Sequence, residues 1–375
     1  MPTQTEQTLQ QFLAAADGPF VTLYLPLTTH DGDKLRLKMR HLTDHAKQVM
    51  AETWPDADWA AYADQLGGDL ADPAQLARLD GEGLCVIVDA EARYTRTLAF
   101  PVQETAMVTA LPQVLPLILD VRRQFEFDLL VLSTDRISLY RNAGGHLTEI
   151  ELPDNAPVTL EEALGTELRG GGINSVSRGS GHVGYHGHNE KAAVAEVDRR
   201  RYYQAVDSYI ADHYSKPFSR RLIPAGLTQN LAVFRQISKN PHLSGSMQLE
   251  LNAGDMSLQE LDAACDPLRA EHRLRRQQKV LAEIDYARGS ARFKDDLSAI
   301  VAAVNTGAVA TLVIRQGARI NARLNPDFTL DRESPRAQHN NLLNDLADYA
   351  LARGGEVRVL PEEMMEEPVC AVLRY

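Results

Sequence analysis

The chain has 375 residues, 44% of them apolar and 24% charged, values that exclude a disordered chain, a collagen-like fibre and a coiled-coil rod. Its 39 basic and 51 acidic residues leave a formal charge of −12, which argues against a general nucleic-acid coat protein because phosphate contacts need clustered positive charge. No run approaches the roughly 18 apolar residues of a membrane helix, and the start, MPTQTEQTLQQF, lacks the basic and apolar regions of a secretory signal. Cys85, Cys265 and Cys370 are too scattered for a disulfide framework or a CxxC metal pair. The expectation is a cytoplasmic protein with no membrane or DNA partner and no cofactor.

At roughly 100–200 residues per domain the chain holds two or three domains. PFVTLYLPL reads as a strand ended by Pro26, followed by a polar turn at His30–Asp33 and a helix carrying Leu35, Leu42 and Ala46. Trp54 to Leu79 reads as helical and acidic. GLCVIVD is a buried strand, YTRTLAFPV a second one, and Val114 to Phe125 a helix with Pro112 and Pro116 at its entrance. From Phe127, DLLVLSTDRISLYRNAGGHLTEIELP reads as an antiparallel meander. A glycine-rich stretch, a basic helix, the strand SRRLIPAGL and the helix NLAVFRQISKNPHL follow. From Ser257 one long charged helix is expected. After it come a helix over Asp295 to Asn305, the strand AVATLVIR, a helix over His339 to Arg353, the strand EVRVLP and an apolar CAVLRY. The fold class is α/β (mixed α+β) in three domains: an N-terminal α/β domain at 1–125, a middle domain at 126–250 and a C-terminal α-β-α sandwich at 251–375.

The stretch 165–191 stands apart. Eight of the 24 glycines fall between Gly165 and Gly187, and RGGGINSVSRGSGHVGYHGHNEK has no apolar periodicity with which to build a core. Between Gly165 and Arg221 nine basic residues (Arg169, Arg178, Lys191, Arg199, Arg200, Arg201, Lys216, Arg220, Arg221) face six acids, a positive segment in a negative chain. The helix behind it is expected to start at Asn189 as N-cap, with Val194, Val197, Tyr202, Val206, Tyr209 and Ile210 on its buried face. Arg199, Arg200 and Arg201 are either a solvated helix face or, behind a basic loop, a phosphate-gripping surface. His182, His186 and His188 could approach one metal, but with only Glu190 nearby the set is poorly preorganised. No GxSxG elbow supports a serine nucleophile, and Asp128 and Asp135 lack the further carboxylates of a magnesium nuclease. No catalytic residue is assigned.

VTLYLP before a helix, GLCVIVD, FDLLVLSTDRISLYR, RGGG before a basic helix and the tail GGEVRVLPEE…AVLRY come in an order that resembles the archaeo-eukaryotic class-one peptide release factor and its relative Pelota. The nearer resemblance is to the bacterial branch of that superfamily, which includes the ribosome hibernation factor Balon. The resemblance implies a first domain facing the decoding region and an RNase H-like middle domain whose loop reaches the peptidyl-transferase centre. It also implies a third domain of the kink-turn ribosomal-protein type that binds a translational GTPase such as EF-Tu. The implied partners are the ribosome, through its rRNA, and P-site tRNA. RNA contact would fall to Arg169, Arg178, His182, His186, His188, Lys191, Arg199, Arg200 and Arg201.

The departure from that pattern concerns the Gly-Gly-Gln triplet that positions the hydrolytic water in release factors. Its counterpart here is Gly170, Gly171 and Gly172, and the next glutamine is Gln204. Asn174 is the nearest side-chain amide, on a different backbone path. Glycine offers no side chain to hold a water. The expected function is therefore a translation factor that occupies the ribosomal A site, in hibernation or stalling, without peptide hydrolysis. The alternative is a peptidyl-tRNA hydrolase or rescue factor with a substitute for the glutamine, and a third is a family member repurposed away from the ribosome.

Overall fold

The computed structural model describes residues 18–123, 125–165, 187–253 and 256–375. Three sheets share one logic: a central strand is buried on both faces, and its alternate residues feed two cores.

In the first sheet the order is β3-β2-β1-β4, all antiparallel, with β1 Phe20–Pro26, β2 Gly83–Val88, β3 Arg93–Leu98 and β4 Thr105–Thr109. Val21, Leu23 and Leu25 of β1 pack under the helix Gly32–Thr53 with Leu35, Met39, Leu42, Ala46 and Met50. Phe20 and Tyr24 enter the opposite core with Cys85, Ile87 and Tyr94. Asp31 caps the helix, accepting from Lys34 N–H at 3.2 Å. The expected single helix over Trp54 to Leu79 is broken into Trp59–Gln65, a 3₁₀ turn at Gly68–Ala71 and Pro73–Leu76. The physical reason is local: Gly67 and Gly68 end one helix, Gly68 at φ 67°, and Pro73 can only open the next.

The middle sheet has the order β7-β6-β5-β8-β9, from β5 Phe127–Leu132, β6 Ile137–Ala143, β7 His146–Ile150, β8 Arg221–Gly226 and β9 Leu249–Glu250. The expected meander β5-β6-β7 is antiparallel, and β8 and β9 add in parallel. Phe127, Leu129 and Val131 join Ile223, Met247, Leu261 and Leu268 on one face. Leu130 and Leu132 join Tyr202, Tyr203, Val206 and Phe234 on the other. Gly226 ends β8 at φ 150°, where an added Cβ would lie 2.5 Å from the Leu132 carbonyl, so only glycine closes the strand there.

The third sheet has the order β10-β15-β11-β14, from β10 Phe293–Lys294, β11 Val309–Arg315, β14 Glu356–Leu360 and β15 Val369–Leu373, with a separate ribbon of β12 Arg323–Leu324 and β13 Leu330–Asp331. Leu312 and Ile314 pack on the helices Leu297–Asn305 and Leu342–Ala352. Val313 packs on Val280 and Ile284 of the helix Asp266–Gly289. Helices therefore cover both faces of this sheet. The long helix expected from Ser257 is two, Leu258–Ala264 and Asp266–Gly289, parted at Cys265.

By contact the chain divides into two compact units, residues 1–123 with 275–375, and residues 124–274. Inside the first unit the two sheets are joined by buried polar side chains. Asn344, fully buried, accepts from Val114 N–H at 2.6 Å and Leu115 N–H at 3.3 Å, and donates to the Pro112 carbonyl at 2.7 Å and to Asp348 at 2.9 Å. It caps the helix Leu115–Arg123 from a residue far along the chain. Gln113 donates to Asn340 at 3.4 Å, and Asn340 donates to Asp345 Oδ2 at 2.7 Å and to the Ala322 carbonyl at 2.8 Å.

Replacing Asn344 by leucine leaves two backbone N–H groups and a carbonyl buried without partners. The expected loss is about 2–4 kcal/mol, read as a lower urea midpoint at unchanged slope. Asp345→Asn acts the other way. Burial raises the Asp345 carboxyl to about 7, against the bonds from Leu324 N–H and Asn340 and the charge of Arg323. With a folded value above the unfolded one, ionisation favours unfolding, so wild type loses stability as pH rises from about 4 to about 7. Asparagine can accept the same two bonds without charge. It should stabilise the protein at pH 8 by on the order of 1–3 kcal/mol, a gain that vanishes towards pH 4 in denaturation at both pH values.

Candidate functional site

The middle unit brings the ends of the glycine-rich stretch onto one face of its sheet. On the entering side Thr159 and Glu162 form a capping box for the helix Leu160–Leu164, with Glu162 N–H donating to Thr159 Oγ1 at 3.2 Å and Thr159 N–H to Glu162 at 2.9 Å. That helix stops at Gly165, whose φ of 48° lies in the region favoured by glycine. On the leaving side the helix Gly187–Ile210 begins two residues before the expected N-cap Asn189.

Tyr202 and Tyr203 fix this helix. Both are fully buried, the Tyr202 hydroxyl donates to the Val158 carbonyl at 2.6 Å, and the Tyr203 hydroxyl donates to the Ser133 carbonyl at 2.8 Å. Tyr203 meets Phe234 edge-on at 6.0 Å. Burial pushes both phenols well above their ordinary range, so they act as neutral donors. Asp207, also buried, accepts from Ser238 Oγ at 2.5 Å and Lys239 N–H at 2.7 Å. The helix therefore packs against both the sheet and the helix Thr228–Ile237. Val197, expected on the buried face, is exposed, and Tyr203, absent from the expected stripe, is in the core.

Of the residues expected to touch RNA, Arg169, Arg178, His182 and His186 lie outside the described residues, as do Gly170, Gly171, Gly172 and Asn174. His188 and Lys191 stand on the first two turns of the helix. Arg199, Arg200 and Arg201 are described and half-buried. Arg200 donates to Gln236 at 2.9 Å and stands 4.0 Å from Glu196. Arg201 also has a partner, whereas Arg199 Nε is shielded and has none among the described residues. The triplet is thus partly built into the helix–helix packing rather than wholly free for phosphate.

A second basic feature escaped the sequence reading. Beyond Ile210 the helix widens into a π turn at Ala211–Ser215, continues through Lys216–Phe218 and stops at Ser219 with φ 48°. Phe218 is 57% exposed, with the Arg141 and Arg220 guanidinia 5.5 and 5.9 Å from its ring. Both arginines are held by the buried Asp128: Arg141 Nε at 3.0 Å and Arg220 Nη1 at 3.7 Å, with Arg220 also bonding Glu126 at 3.0 Å. The aromatic in the segment KPFSRR was the available signal. Asp128 is thereby occupied by arginine, and Cys265 in the same unit is a thiol raised to about 12 by burial, not a nucleophile.

The family model of the bacterial archaeo-eukaryotic release factor family 6 matches residues 125–271. Among solved structures the chain is similar to the archaeal translation termination factor aRF1, at 14% identity over 99% of this chain and 97% of that one, with a TM-score of 0.25. It is similar to ribosome-bound archaeal Pelota (11% identity, 98% and 94% covered, TM-score 0.39). It is also similar to S. cerevisiae Dom34, a translation termination-like factor (10% identity, 81% and 76% covered, TM-score 0.39). No curated protein matches the chain.

If the two phenols hold the helix as described, Tyr203→Phe removes one buried donor and strands the Ser133 carbonyl. A loss of about 1–2 kcal/mol is expected, measured by urea denaturation, with far-UV circular dichroism unchanged.

Proposed function

We propose, from the match of residues 125–271 to the family model of the bacterial archaeo-eukaryotic release factor family 6, that the chain is a translation factor that binds the ribosome and occupies its A site without hydrolysing peptidyl-tRNA. The observation that carries the reading is this match to the segment holding the glycine triplet and its flanking helix. The middle sheet, three antiparallel strands extended by two parallel ones, serves in the reading as the RNase H-like domain that presents the triplet. The absence of hydrolysis rests on Gly172, which offers no group to hold a water where the release factors have glutamine.

RNA contact falls in this reading to Arg169, Arg178, His182, His186, His188, Lys191 and the arginine triplet. Phe218 with Arg141 and Arg220 adds a stacking surface for an unpaired base. The third sheet, covered by helices on both faces, is the candidate kink-turn ribosomal-protein type domain and the candidate dock for a translational GTPase such as EF-Tu.

Co-sedimentation with ribosomes from growing and starved cells tests the binding. Replacing Arg199, Arg200 and Arg201 together by alanine should weaken it and flatten its salt dependence, because each lost phosphate contact lowers the slope by about one. Since Arg200 also bonds Gln236, the variant's thermal midpoint is measured alongside. A folded triple variant that co-sediments like wild type across the salt series would make the helix a plain solvated face. In a peptidyl-tRNA release assay the protein should stay at the no-factor background, with or without a stop codon. Release above background that Asn174→Ala abolishes would establish the hydrolase instead.

A further inference from the structure

The first unit holds a cavity of about 170 Å³, lined by Trp54, Arg323, Arg336, Asn340, Asp345 and Tyr349 among others. Its wall has an imbalance of hydrogen-bonding groups. Most of its acceptors are engaged: Asp345 Oδ2, though not Oδ1, accepts from Leu324 N–H and Asn340, Asn340 Oδ1 accepts from Gln113, the Ala110 carbonyl accepts from Gly18 N–H, and the Leu111 carbonyl accepts from Thr109 Oγ1. The donors are not. Arg336 uses Nε on the Thr53 carbonyl at 2.8 Å and stacks 3.6 Å from the Trp54 ring centroid, which leaves its terminal fork without a partner among the described residues. Arg323 Nε and Trp54 Nε1 are shielded from solvent and likewise unpartnered.

Neither Arg323 nor Arg336 stands in an ion pair among the described residues, unlike the partly buried Arg93, Arg141, Arg220 and Arg269, which do. The Arg323 charge, after burial, lowers the Arg336 pKa, and the exposed Asp56 offsets it only from a distance. Asp331 and Asp345 feel the Arg323 charge and Asp56 acts on Arg336, but among the described residues no carboxylate forms an ion pair with either arginine. Two guanidinia that repel one another in a partly closed cavity are stabilised by an acceptor-only ligand of at least one negative charge. The one carboxyl on the wall, Asp345, is raised to about 7 by burial and so carries less than a full charge near neutrality.

We propose that this cavity binds a phosphoryl group, held by the terminal forks of Arg323 and Arg336 beside Trp54. The planar fork matches two oxygens of a tetrahedral phosphate, the cavity accommodates an ion the size of orthophosphate, and parts of its lining are already fixed by the Asn340–Asp345 hydrogen bond and the Arg336–Trp54 stack. The phosphoryl group can be free orthophosphate or the 5′-phosphate of a nucleotide, which offer the same oxygens to the same fork. None of its lining residues falls within 125–271, and the proposal does not depend on the ribosome reading.

The chain has two tryptophans, so Trp59→Phe leaves Trp54 as the only emitter, reporting on the Arg336 stack. Titration of that full-length protein with sodium phosphate should give a saturable change in emission that sodium chloride at matched ionic strength does not give. Adenosine 5′-monophosphate and adenosine form the second pair. Saturation by the monophosphate at tenfold lower concentration than orthophosphate, with adenosine silent, assigns a nucleotide, and saturation by orthophosphate alone assigns the free ion. Arg323→Gln should weaken the binding at least tenfold. Should that variant unfold, Arg323→Lys, which keeps the charge and loses the fork, should weaken it several-fold. Emission that responds equally to phosphate and chloride, or undiminished affinity in a folded Arg323 variant, overturns the proposal.

Discussion

Two adjacent phenols decide where the glycine-rich stretch leaves and rejoins the folded protein. Tyr202 bonds the Val158 carbonyl just before the capping box of the helix Leu160–Leu164, and Tyr203 bonds the Ser133 carbonyl at the end of β5. One side chain thus ties the leaving helix to the entering one, and its neighbour ties it to the central strand. Neither bond could be made by phenylalanine, which would leave two half-buried carbonyls without these donors. Because Asp207 fastens the same helix to the end of Thr228–Ile237 through Ser238 and Lys239, three independent anchors act on one helix. The arginine triplet lies on the turn just before the phenols, so its backbone is fixed even where its side chains have freedom.

The other unit solves a different problem with the same chemistry. Residues 112–115 pass between two sheets and carry backbone groups with no strand or helix to satisfy them. Asn344 supplies partners for Val114 N–H, Leu115 N–H and the Pro112 carbonyl, while Thr22 Oγ1 accepts from Gln113 N–H and the Tyr24 hydroxyl donates to the Gln113 carbonyl. An apolar side chain in place of Asn344 would leave the backbone unpaired, which costs more than the asparagine loses in hydration. The same dry site raises the Asp345 and Asp348 carboxyls, Asp348 chiefly by burial and then by the neighbouring Asp345. Two acids on successive turns of one buried helix are acceptable only if they share less than two charges.

What the sequence revealed follows from how much of each element's environment is local. β1, β2, β5, β8 and β11 were legible because strands buried on both faces are continuous apolar runs, and FVTLYLP, GLCVIV, FDLLVL, RLIPAG and VATLVIR cannot be read otherwise. The two-residue strands β9, β10, β12 and β13 were not, since two residues carry no period and are defined only by their neighbours. β4 was missed because TAMVT alternates weakly and owes its place to pairing with β1. The helix Gly187–Ile210 was found, but a single 3.6-residue stripe chose Val197 over Tyr203. The helix packs against a sheet and a second helix together, so its buried face is wider than a stripe. The sequence marked the basic triplet as a patch without disclosing that Gln236 and Glu196, from another turn and another helix, would engage Arg200.

Pairing also separates the Arg141–Arg220 cluster from the Arg323–Arg336 pair. Arg141 and Arg220 stand on Asp128 and Glu126, so their charge is largely answered within the protein, and what they present beside Phe218 is flat, weakly hydrated surface suited to stacking. Arg323 and Arg336 form no ion pair among the described residues, with Asp331, Asp345 and Asp56 acting on them only through longer-range charge, and what they present is charge and N–H forks. A phosphate offered to the first cluster would have to compete with a buried aspartate that cannot move into water. Offered to the second, it meets two cations already brought close by Trp54, Thr53 and β12, whose repulsion it relieves. The protein's overall charge of −12 does not oppose this, because a partly closed cavity senses the groups on its wall more strongly than screened acids on a distant surface. A strongly acidic chain can therefore carry two basic sites of different chemistry, one that stacks and one that takes an anion.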